Sequence, residues 1–213
     1  MFEDMSITEF TDKLSSEAPV PGGGGVAALS AALAASLTAM VFNLTTGKKM
    51  FQKYDDNTKN NILDSLNKVE KARKEFLTFI DKDAEAFSKI ISAYKLAKVT
   101  EEEKKARSKK IEEGCTLAAN VPLELAKKAS KLYEIIDVAC KYGNESVMSD
   151  AGVAAIFNHS VIETAVLNIS INLSGITDEK LKNDLKLTSA ELLSSSEIRK
   201  NIILKNVYQT VIK

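Results

Sequence analysis

The chain alternates long stretches of helical periodicity with short breaks. Between Val26 and Leu44 there is no charged residue and alanine predominates, which predicts a helix buried on all sides at the centre of a bundle, ending near Gly47. From about Asp55 to Leu96 the residues Phe76, Ile80, Phe87, Ile90 and Tyr94 recur at spacings of three, four and seven, so one long helix is expected there. Ser6-Ile7-Thr8-Glu9 and Thr100-Glu101-Glu102-Glu103 both read as capped helix starts. The second leads into a helix that Pro122 should kink or restart. Gly143-Asn144 makes a break, Ser149-Asp150 opens a mostly apolar helix to about Leu173, and the tail from Thr177 is helical again with a possible restart at serines 194 to 196. Proline occurs only at 19, 21 and 122, and no stretch alternates with period two. The fold class that follows is all-α: an antiparallel helical bundle with an Ala-rich central helix, as a single domain over 1–213.

Charge narrows the partners. Lysine plus arginine (29) equals aspartate plus glutamate (29), so no global field draws the chain to nucleic acid or an acidic membrane. Cys115 and Cys140 lie far apart in helical sequence and form neither a zinc motif nor a disulfide framework, which fits a reducing cytoplasm. No secretory pattern opens the chain. Val26–Leu44 is long enough to span a membrane, but alanine, Ser30, Ser36, Thr38 and Asn43 weaken its transfer energy, so a soluble core helix is the better reading.

With one histidine, His159, set among apolar neighbours, and no activating cysteine motif, catalysis would fall to carboxylates, lysines and amides. Asp83 interrupts the stripe of Phe76, Ile80, Phe87, Ile90 and Tyr94. A carboxylate on that face is either a general acid or base with a raised pKa or half of a structural ion pair. Asn168 and Asn172 stand one turn apart in an apolar run, where buried amides hydrogen-bond a ligand edge or simply a neighbouring backbone, and Asn43 poses the same choice. Ser149 and Asp150 are explained by a helix cap, Lys48-Lys49 by a helix C-terminus or by an anionic ligand. Gly22 to Gly25 precede the apolar helix and offer bare amides, either to an anion or to a tight turn before close packing.

Seven segments in order, PVPGGGGVAALSAALAA, MVFNLTTGKK, DKDAEAF, AYKLAKVTEEEK, NVPLELA, GNESVMSDAGVAA and LNISINL, resemble the cyclodeaminase/cyclohydrolase family of folate one-carbon enzymes. The resemblance covers roughly Ser6 to Asp178. It implies an all-helical homodimer in its stand-alone form, without a formiminotransferase domain. The reaction implied is hydrolysis of methenyltetrahydrofolate to formyltetrahydrofolate. The alternatives are ammonia-releasing cyclodeamination of formiminotetrahydrofolate and a non-catalytic helical folate-binding protein. No cofactor beyond the tetrahydrofolate substrate and no metal are implied. Carried onto this sequence, the resemblance makes Asp83 the principal acid or base, with Lys48 or Asp150 as the second group. Gly22, Gly23, Gly24, Asn43, Lys98, Asn144, Ser149, Asn168 and Asn172 are the implied substrate contacts, with the glycine-capped helix taking an anionic end of the folate or lining its pocket. Gly25 departs from the serine usual there, Met50-Phe51 from a lysine-tyrosine pair and Ala97 from a proline. A hydroxyl missing at Gly25 should weaken substrate affinity.

Overall fold

The computed structural model describes residues 1–212. Seven α-helices follow in order: α1 (Ile7–Leu14), α2 (Gly23–Thr46), α3 (Lys49–Gln52), α4 (Asp56–Tyr94), α5 (Glu101–Tyr142), α6 (Met148–Asn172) and α7 (Glu179–Val211). Among the described residues no strand forms, so the chain is all-α.

The caps explain where the helices begin. Ser6 and Glu9 exchange both bonds of a capping box at α1, and Thr100 and Glu103 do the same at α5, each satisfying orphan amides of a first turn. Asp55 and Asp178 cap α4 and α7 through the N–H groups of Thr58 and Leu181.

α2, α4, α5 and α6 close a ring in which each packs on the next, and α7 lies against α5 and α6. Hydrogen bonds fix the antiparallel sense. The start of α5 meets the end of α4 through Arg107 and the Tyr94 carbonyl (3.2 Å), while the end of α5 meets the approach to α4 through the Tyr54 hydroxyl and the Tyr142 carbonyl (3.1 Å). Alanines 27, 28, 31, 32, 34, 35 and 39 of α2 are all buried, and their small side chains let α4 and α6 approach closely.

Five expectations change. The first turn of α2 consists of Gly23, Gly24 and Gly25, so the glycines are helix and not a turn before it. α2 is not buried on every side, because Leu33, Met40 and Leu44 are exposed on its outer face. α5 runs through Pro122 without a break, and α7 runs through serines 194 to 196 because Ser196 faces the core. α6 begins at Met148 after a 3-10 turn, and its N-cap Val147 makes no side-chain cap bond. Ser149 and Asp150 therefore lie inside the first turn, where Asp150 still complements the helix dipole.

Both α2 and the Glu145–Gly175 segment are long and apolar enough to cross a membrane by length and composition. In the fold 61% of the most apolar window of the first and 44% of the second is buried against neighbouring helices.

Candidate functional site

Where the start of α2 meets the middle of α4 and the end of α6, a cavity of about 360 Å³ opens. Its floor follows from one close approach. A Cβ on Gly24 would overlap the carboxylate of Asp83, so the side chain of Asp83 fits against α2 only because residue 24 has none. Asp83 accepts a hydrogen bond from the Gly25 N–H, one of the orphan donors of the α2 N-terminus. Burial pushes its carboxyl above the ordinary value of 3.8, and that hydrogen bond acts in the opposite direction. The protein's own carboxylate thus lies at this helix start, and Gly22, Gly23 and Gly24 line the cavity beside it. No ion pair with Asp83 is formed among the described residues, so the structural-pair reading of this residue does not hold.

Opposite stand Asn168 and Asn172, one turn apart on α6. Asn168 Nδ2 donates to the Thr164 carbonyl (2.8 Å); Asn172 Nδ2 donates to the carbonyls of Asn168 (2.8 Å) and Ala118 (3.4 Å). A carbonyl can only accept, so these bonds fix both amide orientations and leave the two Oδ1 atoms and the second N–H of Asn168 as the free polar ends. A Cβ on Gly23 would stand 3.5 Å from the Asn168 amide, which places the α2 backbone directly against it.

The remaining wall comes from residues whose role the sequence did not reveal. Phe87 and Tyr94 belong to the apolar stripe of α4, but they leave the core near the end of the helix, are exposed, and face the cavity with Ile171. The signal was the interruption of the stripe itself: of its members beyond Asp83, Phe87 and Tyr94 are exposed and Ile90 is buried. Cys115, Ser174 and Gly175 close the far side, Cys115 so near Gly175 that a side chain there would strike its sulfur. Burial, with a smaller contribution from Glu112, raises the Cys115 thiol above its usual value.

Of the residues picked out from sequence, Gly22, Gly23, Gly24, Asp83, Asn168 and Asn172 converge here. Lys98 is exposed in the connection after α4, at the same end of the bundle as Tyr94. Asn43, Lys48, Asn144, Ser149 and Asp150 lie at the opposite end. The rise of an α-helix separates Asn43 from Gly23 by about 30 Å along α2. Asn43 is exposed, not a buried amide, and Lys48 is exposed at the N-cap of α3. Asn144 ties α5 to α2 by donating its N–H to Thr45 Oγ1 (2.9 Å) and its Nδ2 to the Leu44 carbonyl (3.3 Å). Gly25 points away from the cavity, since a Cβ there would meet Pro21 at 3.3 Å and Ile80 at 3.6 Å. Phe51 is buried in the main core. His159 is a packed, hydrogen-bonded histidine, with Nδ1 2.9 Å from Ser196 Oγ.

A larger groove of about 600 Å³ runs between α4 and α5 beside Ser92, Leu96 and Gly114. Its Lys110 is already paired with Glu113 at 2.7 Å, and no buried carboxylate or oriented amide converges on it. The chemistry therefore points to the smaller cavity.

The comparisons agree along the whole chain. It is 35% identical over 206 residues to the methenyltetrahydrofolate cyclohydrolase of Methylorubrum extorquens, covering 97% of this chain and 95% of that one. It is 32% identical to the formimidoyltransferase-cyclodeaminase of Rattus norvegicus over 94% of its own length, but spans only 36% of that longer protein. The crystal structure of formiminotetrahydrofolate cyclodeaminase from Thermotoga maritima superposes with a TM-score of 0.80 at 28% identity, covering 100% of this chain and 98% of that one. Residues 6–191 match the formiminotransferase-cyclodeaminase family, and with relatives of this identity and coverage the chain belongs to it.

Proposed function

We propose that this protein hydrolyses methenyltetrahydrofolate to formyltetrahydrofolate. The observation that carries the proposal is a desolvated carboxylate, Asp83, held on a glycine helix start and facing two oriented amides, in a chain similar over nearly its full length to a methenyltetrahydrofolate cyclohydrolase.

The substrate carbon lies between two nitrogens and carries positive charge, so water attacks it without prior activation of the carbon. Asp83 takes a proton from the attacking water as the carbon–oxygen bond forms. When the tetrahedral adduct collapses, the carbon–N5 bond breaks, N5 receives the proton held by Asp83, and the adduct hydroxyl releases its proton to solvent. One proton is released overall, and the formyl group stays on N10. Asn168 and Asn172 orient the ring nitrogens, and Phe87 and Tyr94 supply a flat apolar wall for the bicyclic ring. Lys48 and Asp150 reach this cavity only from a second copy of the chain.

A homodimer is part of the reading. The outer faces of α2 and α6 carry Leu33, Met40, Leu44, Val153, Ile156, Phe157 and Leu167, all exposed. α2 has no charged residue, so its part of the face can pair with itself without like-charge contacts.

Cyclodeamination is the second reading, supported by the full-length likeness to the Thermotoga maritima protein. Purified protein should accelerate loss of methenyltetrahydrofolate absorbance, and ammonia release from formiminotetrahydrofolate measures the second activity. The Asp83→Asn variant should keep its helix content and lose about 10²- to 10⁴-fold in turnover. Acceleration of neither reaction by the native protein would overturn the enzymatic reading.

A further inference from the structure

Acceptors outnumber donors among the polar side chains of the cavity. Its side-chain wall holds one carboxylate, Asp83, and two amides: Asn172 has both N–H groups on backbone carbonyls, and Asn168 has one of its two there. Ser174 Oγ donates to the Ile171 carbonyl at 3.3 Å, which leaves that hydroxyl an acceptor too. Among the described residues no lysine, arginine or histidine lines the cavity. The donors are the backbone N–H groups that open α2, one N–H of Asn168, the Cys115 thiol and the Tyr94 hydroxyl, and the Gly25 N–H is committed to Asp83. Two flat rings, Phe87 and Tyr94, stand at the edge. Acceptors converging beside aromatic faces complement a planar cation that donates several hydrogen bonds.

We infer that this cavity selects its ligands by charge: it is a subsite for planar N–C–N cations, the amidinium and guanidinium class, and it discriminates against neutral amides of the same shape. This rests on the reading of the cavity as the folate site and deepens it. The methenyl substrate carries such a cation between N5 and N10, whereas the formyl product is a neutral amide. Hydrolysis then removes the charge on which binding depends, and release of the product follows from the chemistry. Asp83 has two consecutive roles on one pair of oxygens: counter-ion to the bound cation, then acceptor of the water proton. The amide oxygens of Asn168 and Asn172 spread the contact without adding a second negative charge beside the first.

The test needs no turnover. Benzamidinium and benzamide have nearly the same shape and differ in charge and donor count, and their affinities for the full-length protein are read by calorimetry. Benzamidinium should bind about tenfold or more tightly than benzamide, since charge-assisted hydrogen bonds are about twice as strong as neutral ones. Asp83→Asn should lower benzamidinium affinity by about tenfold and leave benzamide unchanged. Asn168→Leu, which keeps the volume and removes an acceptor, should weaken benzamidinium alone. Should either variant fold poorly, displacement of benzamidinium from the native protein by methenyltetrahydrofolate but not by formyltetrahydrofolate gives the same reading. Equal affinity for the two probes, or cation binding that Asp83→Asn does not touch, overturns the inference. A preference for the cation in a protein without folate turnover would support the subsite and sink the proposed function. Turnover without any cation preference would do the reverse.

Discussion

A carboxylate set into an apolar seam costs stability unless something in the fold holds its charge. Asp83 has the Gly25 N–H and no cation, and burial leaves its carboxyl above 3.8. A carboxyl whose folded pKa is raised contributes stability that is fully present below the unfolded value and lost as pH rises through the folded one. Asp83→Asn should therefore raise the melting temperature at neutral pH, with the gain disappearing below about pH 4, the unfolded range. Equal melting temperatures of native and variant protein across that range would show that the site stores no such cost. Gly24 is the complementary residue. Gly24→Ala should displace the carboxylate and reduce turnover by on the order of 10²-fold with helix content intact, because misplacement by about an ångström has that effect. Gly25→Ser, by contrast, places its Cβ against Pro21 and Ile80 and should bring no gain in substrate affinity. Asp83 was legible in sequence because a charge broke an apolar stripe. The demand on Gly24 was not, since it arises from a contact between residues 59 positions apart that no local pattern encodes.

At the scale of elements, the helices were legible where a capping residue meets a periodic run, as at Ser6, Asp55 and Thr100. Pro122 misleads because the rest of a 42-residue helix, with both ends packed, outweighs one missing hydrogen bond. The serines of α7 mislead for a different reason: Ser189 and Ser196 face inward, where small side chains let the helix sit close to α5 and α6. Ser196 joins three elements, its hydroxyl 2.9 Å from both Tyr133 of α5 and His159 of α6. Burial, with a lesser contribution from Lys200, lowers the His159 pKa below 6.5. Ser196→Ala should cost about 1–3 kcal/mol in chemical denaturation, the range for losing a buried hydrogen-bond partner. Turnover per folded molecule should stay at the native level, since the cluster lies outside the cavity. A loss below about half a kcal/mol would mean that α7 is held without this cluster, by contacts such as those of Leu185, Ile203 and Val207.

On the scale of the molecule, one end of the ring of four helices holds Asp83, Asn168 and Asn172, while Lys48 and Asp150 sit at the other, more than about 30 Å away along α2. The face between the ends is apolar. Leu33, Met40, Val153 and Phe157 are exposed side by side on it, the kind of contiguous apolar patch that marks an interaction site. Paired antiparallel about a twofold axis, two such faces bring the Lys48 end of one copy toward the Asp83 end of the other. The native protein should then sediment at twice 23.2 kDa, and Leu33→Glu with Phe157→Glu should give monomers. Sedimentation of the native chain as a monomer would end the argument. Orientation is read by complementation. If Lys48 acts across the interface, Asp83→Asn and Lys48→Ala should each inactivate both sites of their own dimers, whereas a mixed dimer would place native Asp83 opposite native Lys48 once. Unfolding and refolding the two together should restore about a quarter of native activity if subunits pair at random. If the mixture stays as inactive as its components while mixed dimers form, Lys48 does not act across the interface, and Asp83 works without it.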